Sequence, residues 1–365
     1  MSNSPTNRLA HDLDNILGRT EPLWQELRGQ RILITGATGF FGCWMLETFS
    51  WANCRLNLNA RAVGLCRRPG LLTEKAPHLA EDAAITLHAA DVRHGDFPQG
   101  AFSHVIHAAT EASAKLNSEA PLVMFDTIVE GTRRALQFSI ASSVTRFLLV
   151  SSGAIYGTQP VHLAHVSEGY EGGPDPLNPA SAYAEGKRSA EMLCALAASP
   201  RFATTVARCF AFVGPYIPLD AHLAIGNIIG DRLHERPICV RGDGSAVRSY
   251  LYASDLMTWL WTILFTGQSR RAYNVGSEEA VDIGTLAREV AAALPPDVEV
   301  SIASAPIPGV AAHRYVPSTA RAREELGLRA EVPLREAICR THAWFAGDTF
   351  SEQTTDRPIA RGVHA

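Results

Sequence analysis

Residues 31–42 read R-I-L-I-T-G-A-T-G-F-F-G. Ile32, Leu33 and Ile34 form a short apolar run rich in β-formers, which suits a buried strand. Gly36, Gly39 and Gly42 follow at G-x-x-G-x-x-G spacing, and Cys43 to Phe49 have helical character. A glycine turn between strand and helix is the context that gives such spacing its meaning. One glycine permits the tight turn, one lets the backbone approach a pyrophosphate, and one allows close helix–strand packing. The helix start then offers N–H groups and a positive dipole end to phosphates. Thr38, Phe40 and Phe41 lie within the same turn and share the expected dinucleotide contact.

Composition narrows what surrounds that turn. The chain has 365 residues, enough for one large domain or two intimate ones. Hydrophobic residues make up 46% and charged residues 19%, as in soluble globular enzymes. A net charge of −4 leaves no basic excess for neutralising phosphates, which argues against a nucleic-acid partner. No apolar run approaches a bilayer span, and the start M-S-N-S-P-T-N-R has no apolar signal core, so no membrane partner is expected. The seven cysteines are scattered without a C-x-x-C pair, and the histidines show no ligand spacing. Reduced thiols, a cytoplasmic location and no metal site are the expectations.

Residues 1–29 read as a helical extension packed on the main domain, with an oligomer contact as the alternative. Thr20 is the expected cap of a short second helix, from Glu21 to Arg28, and Gly29 its end. A second strand runs from Ala62 to Leu65. An acid at its end would bind ribose hydroxyls, but the chain there reads Leu65-Cys66-Arg67-Arg68. Arg67 and Arg68 favour a 2′-phosphate, hence NADP over NAD; two solvated surface arginines are the other reading. A strand at Ile85–Leu87 leads to Asp91 and Val92, a place for adenine contacts. Another at Val105 and Ile106 ends in His107-Ala108-Ala109-Thr110, whose small residues let backbone lie beside a flat cofactor. Here His107 reads as structural. A long helix over 121–140 precedes the strand Phe147–Val150, which delivers Ser151-Ser152-Gly153-Ala154-Ile155-Tyr156-Gly157. The helix carrying Tyr183 and Lys187 then leads to a strand at Thr205–Ala207. The alternation predicts a parallel α/β sheet covered on both faces. Beyond Gly214-Pro215 the pattern changes to helices near 225–233, 256–264, 283–293, 319–326 and 333–345, with short strands between them. The segment from Gly347 reads as a polar tail.

Tyr183 and Lys187 are four apart and project from one helix face. An ordinary tyrosine titrates near pKa 10. A neighbouring ammonium and a cationic nicotinamide would lower that value by favouring the phenolate. Tyr183 could then take a proton from an alcohol as hydride leaves carbon, or return one to a ketone. Ser152 could hydrogen-bond the same oxygen, and Lys187 could reach the nicotinamide ribose.

The chain resembles an extended short-chain dehydrogenase/reductase of the nucleotide-sugar epimerase/dehydratase family. The resemblance rests on T-G-A-T-G-F-F-G, Asp91-Val92, H-A-A-T, V-S-S-G-A-I-Y-G, Tyr183 with Lys187, V-G-P, R-S-Y-L-Y-A-S-D, Y-N-V-G and E-E-L-G-L. It implies a Rossmann-type doubly wound parallel sheet over 30–216, holding NAD or NADP. A smaller α/β domain over 217–346 would grip a nucleoside-diphosphate sugar, with elements of the two interleaved. By position, Ser152, Tyr183 and Lys187 match the catalytic set. Arg248 matches the arginine that pairs with the diphosphate. Asn227 and Arg314 are further substrate contacts that the resemblance implies. A homodimer pairing the 121–140 helix with the Tyr183 helix follows by analogy.

Departures from the family bear on the reaction. The acid and base of sugar 4,6-dehydratases are replaced by Gly153 and Ala154, and the related decarboxylases carry Glu where this chain has Ala154. Glu111 is a weak substitute. Gly153 and Ala154 are expected to leave room beside the sugar, with Gly153 a substrate contact. Ala211 and Ile128 each stand where the family commonly has Asn. What remains is hydride transfer at one sugar carbon: a C4-favoured epimerase, or an NADPH-dependent 4-keto-sugar reductase. A dehydratase with atypical acids and a non-catalytic dinucleotide-binding protein complete the alternatives.

Overall fold

A computed structural model describes residues 7–110, 113–220, 223–294, 296 and 298–348. Seven parallel strands form the central sheet, in the order β11-β6-β5-β4-β1-β2-β3. They are β1 Arg31–Thr35, β2 Arg61–Cys66, β3 Ile85–Ala89, β4 His104–His107, β5 Arg146–Ser152, β6 Ala203–Cys209 and β11 Arg271–Val275. Six of them keep the dinucleotide-fold order 3-2-1-4-5-6. The seventh comes from the C-terminal half, so the two halves share one sheet. The central strands β1 and β4 are buried almost end to end, and the middle of each is apolar: Ile32, Leu33 and Ile34 in β1, Val105 and Ile106 in β4.

The helices begin with α1 Ala10–Thr20, α2 Phe40–Arg55, α3 Gly70–Lys75, α4 Pro77–Ala80, α5 Ala114–Glu119, α6 Pro121–Ala141 and α7 Ala182–Ala197. Then come α8 Ala224–Leu233, α9 Ala253–Thr266, α10 Ile283–Ala293, α11 Ala320–Leu326 and α12 Leu334–Ala346. Helices α6 and α7 cover one sheet face. Residue Gly186 on α7 lets Ile128 of α6 pack directly on it: a Cβ there would lie 3.0 Å from the Ile128 Cδ1. Thus Ile128 supports the helix bearing Tyr183 and Lys187 by contact with its backbone.

The other face is covered by α2 and α9. Helix α9 is buried over nearly its whole length, including Trp259 and Trp261, and the hydroxyls of its polar row Thr258, Thr262 and Thr266 donate to the carbonyls of Ser254, Thr258 and Thr262. The N-terminal extension is what closes it off. Helix α1 packs on α9, and Trp24 packs against Trp261 with ring centroids 4.5 Å apart and planes tilted by 47°. The buried Asp255, in the first turn of α9, accepts from Arg19 at 2.6 Å and from the N–H groups of Glu331 and Val332 at 2.8 and 3.0 Å. Buried Asp12 accepts from the Tyr252 hydroxyl at 2.7 Å and pairs with Arg340. The short second helix is a 3-10 turn, Glu21–Leu27, and Thr20 does not cap it. Its hydroxyl donates to the Ile16 carbonyl and accepts from the Trp24 indole.

Short strands build the second layer: β7 Phe212–Val213, β8 Ile238–Val240, β9 Val247–Arg248, β10 Leu251–Tyr252, β12 Val281–Asp282, β13 Val300–Ile302 and β14 Arg314–Tyr315. Strand β9 lies between β12 and β14, with Arg248 opposite Tyr315. These two-residue strands carry no periodicity that a sequence window could detect. A separate apolar core under α8, α10 and α12 holds this layer. Among the described residues no helix is long and apolar enough to cross a membrane, and no cluster of three or more potential ligands could hold a metal. All seven cysteines are free thiols.

Candidate active site

The carboxyl ends of the central strands and the second layer enclose a cleft of about 1500 Å³. That exceeds the few hundred to about 1000 Å³ of a drug-sized ligand site. It suits a dinucleotide together with a second ligand.

The glycine turn floors one end. Gly36 has φ +74°, and a Cβ on it would lie 2.7 Å from the Ala108 carbonyl oxygen. Only glycine lets these two strand ends meet so closely. Gly39 is the N-cap of α2. Gly42 faces away from the cleft, and its Cβ would strike the Gly36 oxygen at 2.3 Å. Its part is therefore the close packing of helix on strand, while Gly36, Thr38, Gly39, Phe40 and Phe41 line the cleft. Buried His107 hydrogen-bonds the Thr35 hydroxyl at 2.8 Å, and burial pushes its pKa down to about 3. The same hydroxyl accepts from the N–H groups of Ala108 and Ala109, both at 3.2 Å. His107 is thus a neutral support that shapes the Ala108-Ala109-Thr110 wall.

Exposed Arg67 and Arg68 line the cleft at the end of β2, as does Lys75, whose Nζ donates to the Thr38 carbonyl at 3.0 Å. Lys75 escaped the sequence reading because its α3 helix is too short to show a pattern. Asp91 and Val92 also line the cleft. The Asp91 carboxylate is engaged by Arg93 at 2.8 Å, which pulls its pKa down to about 2.

Ser152, Tyr183 and Lys187 converge at the other end. The Lys187 Nζ donates to the Val150 carbonyl at 2.8 Å and to the Thr110 hydroxyl at 3.0 Å. An ammonium has three donors, so one remains for the cleft. Burial pushes the Lys187 pKa down to about 8. Nζ stands 5.9 Å from the Tyr183 ring centroid. Tyr183 differs from the sequence expectation. Burial raises its pKa, and the neighbour that opposes the rise is Ser152, not Lys187. A desolvated phenol resists ionising. A cationic nicotinamide ring, when bound, would favour the phenolate.

Beneath the site, Glu191 of α7 accepts from the Ser151 hydroxyl at 2.6 Å and pairs with Arg208 at 2.8 Å. Arg208 donates to the Tyr156 hydroxyl at 2.8 Å, and Tyr156 donates to Asn274 at 2.8 Å. This chain of bonds joins β5, β6, β11 and α7 behind Ser152.

The expected substrate contacts divide. Arg248 lines the cleft and donates to the carbonyls of Val247 and His313; it forms no ion pair among the described residues. Three expectations are corrected. Asn227 is exposed and lies outside the cleft wall, because Ile225, Ile228 and Ile229 turn the other face of α8 inward and only its first turn reaches the cleft. Arg314 is likewise absent from the wall. Its neighbours His313 and Tyr315 line it, since side chains alternate along a strand. Gly153 leaves no room for a sugar: a Cβ there would lie 2.6 Å from the Phe210 ring, which fills that space. Glu111 lies outside the described residues. Phe210 and Tyr315 are wall residues that the sequence did not single out, and Tyr250 of the R-S-Y-L-Y-A-S-D stretch lines the wall as well. Register with Arg248 would have marked Tyr315, but register is a tertiary fact.

A family profile described as the NAD dependent epimerase/dehydratase family matches residues 32–276, from the first strand through the last strand of the sheet. The chain belongs to this family. A nicotinamide dinucleotide is therefore its cofactor, and the cleft fits one. Among this member's curated relatives is UDP-glucuronic acid decarboxylase 2 of Arabidopsis thaliana, 27% identical over 322 residues, spanning 87% of this chain and 68% of that protein. Decarboxylase 6 of the same plant is 30% identical over 236 residues, spanning 64% and 67%. Among solved structures, the fold is similar to UDP-glucose 4-epimerase from Thermotoga maritima at TM-score 0.71 and 20% identity, covering 87% of this chain and 99% of that one. It is also similar to the dTDP-glucose 4,6-dehydratase of Streptomyces venezuelae, solved with NAD, at TM-score 0.72 and 21% identity, covering 87% and 97%. Three reaction types thus share this fold, and the chemistry turns on particular side chains.

Proposed function

We propose that the chain interconverts nucleoside-diphosphate sugars by hydride transfer at one sugar carbon, with epimerisation at C4 as the leading reaction. One observation carries this reading. Ser152, Tyr183 and Lys187 meet in one cleft, while among the described residues no carboxylate bonds to Ser152 or Tyr183. Gly153 and Ala154 occupy the places of the elimination acids, and Phe210 fills the space beside Gly153. Oxidation and re-reduction at one carbon need no such acids.

In this reading Tyr183 takes the hydroxyl proton as the C–H bond gives up its hydride, and Ser152 holds the oxygen. A nicotinamide held in the cleft would supply the hydride acceptor and donor. Return of hydride to the opposite face, with the proton returned from Tyr183, yields the epimer. Lys187 holds its ammonium beside the phenol and offers its third N–H to the cofactor ribose. Arg248, at the cleft wall and without an ion pair among the described residues, suits the diphosphate. A second reading is favoured by Arg67, Arg68 and Lys75: an exchanging NADPH and reduction of a 4-keto sugar.

The test is NMR of the purified protein with NAD or NADP and, in turn, UDP-glucose, UDP-galactose, UDP-glucuronate and dTDP-glucose. The expected result is a C4 epimer that disappears with Tyr183→Phe, a loss of about 10²-fold or more. Release of CO₂ from UDP-glucuronate, or a 4-keto-6-deoxy product from dTDP-glucose, would overturn the epimerase reading. NADPH oxidation only on addition of a 4-keto sugar would select the reductase.

A further inference from the structure

We propose that Tyr315 is a positioning residue for the hydride-transfer step, acting through Ser152: it donates to the serine oxygen and so leaves the serine proton for the reacting oxygen. The inference rests on the reading of Ser152 and Tyr183 given above.

A serine hydroxyl has one proton and two lone pairs. The Ser152 oxygen already accepts from the Ala154 N–H at 3.2 Å. The Tyr315 hydroxyl stands 3.4 Å away, and either oxygen can be the donor. If that phenol donates, both lone pairs are engaged and the serine proton has Tyr183 or a substrate oxygen as its partner. Tyr315 also lies 3.4 Å from the Cys209 carbonyl, so its single proton has two possible acceptors. A substrate oxygen that accepts from Ser152 tips the choice. Each donation along the chain Tyr315, Ser152, substrate oxygen strengthens the next. Burial raises the Tyr315 pKa, which keeps it a donor at neutral pH.

The position of this phenol is built, not incidental. It is 163 residues from Ser152 in sequence and arrives on β14, opposite Arg248 on β9. Its ring lies 4.6 Å from the Phe210 ring, centroid to centroid. Phe210 in turn occupies the space that any side chain at residue 153 would claim. Gly153, Phe210 and Tyr315 therefore form one unit: the missing side chain admits the aromatic ring, and that ring backs a second phenol against the catalytic serine.

The test is Tyr315→Phe, which keeps the ring and removes only the hydroxyl. On the sugar nucleotide that the enzyme turns over, kcat should fall about tenfold while KM stays within about twofold, the effect of one well-placed hydrogen bond. The pH limb belonging to Tyr183 should move upward, because its oxyanion loses support. In a Ser152→Ala background the same substitution should cost less than about twofold, since the residue through which it acts is gone. Unchanged kcat and pH limb, or equal losses in both backgrounds, would overturn the proposal. A second readout needs no turnover. Titration of ¹³C-tyrosine by NMR in the NAD complex should show the Tyr183 phenol ionising at higher pH in Tyr315→Phe, and no shift would overturn the proposal. Inert wild-type protein with a normal NMR shift would fail the functional reading alone.

Discussion

Gly153→Ala adds a single methyl group, and the structure says where it goes. The new Cβ would lie 2.6, 2.7 and 2.8 Å from Cζ, Cε1 and Cε2 of Phe210. To reach ordinary contact the ring must retreat by about 0.8 Å. Its retreat is opposed by Tyr315 at 4.6 Å and Tyr156 at 6.3 Å between ring centroids. Behind it, the backbone of Gly276 is close enough that a Cβ there would lie 3.2 Å from the Phe210 Cβ. Overpacking of this kind costs about 1–3 kcal/mol. The assay is urea unfolding: the midpoint should fall with the slope unchanged. Because the displaced ring backs Tyr315, kcat should fall as well. Phe210→Leu in the same chain should restore most of the stability. A Gly153→Ala protein within about 0.5 kcal/mol of wild type would refute the claim that Phe210 owns this space. It would also reopen the room beside the sugar for an elimination acid.

Two further outcomes are expected. Arg68→Asp should weaken NADP binding about tenfold or more and leave NAD binding unchanged or improved, as measured by titration calorimetry; an unchanged preference would show that the arginines serve only the surface. The helix α7 exposes Met192 and Leu196, 61% and 73% accessible and one turn apart, an apolar pair that a homodimer would cover. Met192→Glu with Leu196→Glu should turn a dimer into a monomer by light scattering, and a wild type that is already monomeric would refute the pairing.

Much of the dinucleotide half is legible in the chain itself. A strand buried on both faces favours apolar residues, so β1, β4 and β5 announce themselves by the apolar stretches 32–34, 105–106 and 147–150. Gly36 must be glycine because its φ is +74° and the Ala108 carbonyl stands against it. Tyr183 and Lys187 share a face because four residues make about one helical turn. These are local constraints, and local constraints leave a sequence record.

The sugar half is different. Arg248 could be placed only by likeness, and Asn227 and Arg314 were misplaced, because two-residue strands and the rotation of α8 carry no period of their own. The value of Gly153 was also hidden. A missing side chain reads as room until the ring that fills it is located, and Phe210 lies on the chain more than fifty residues away. The Tyr183 environment follows the same rule, since burial is a property of the packed molecule and outweighed the neighbour that the helix spacing suggested. By itself, then, the sequence determined that a dinucleotide cradle and a serine–tyrosine–lysine set exist. Only the tertiary structure decided what stands around them, because the second phenol and the ring behind it reach Ser152 through contacts between distant segments, which no local pattern encodes.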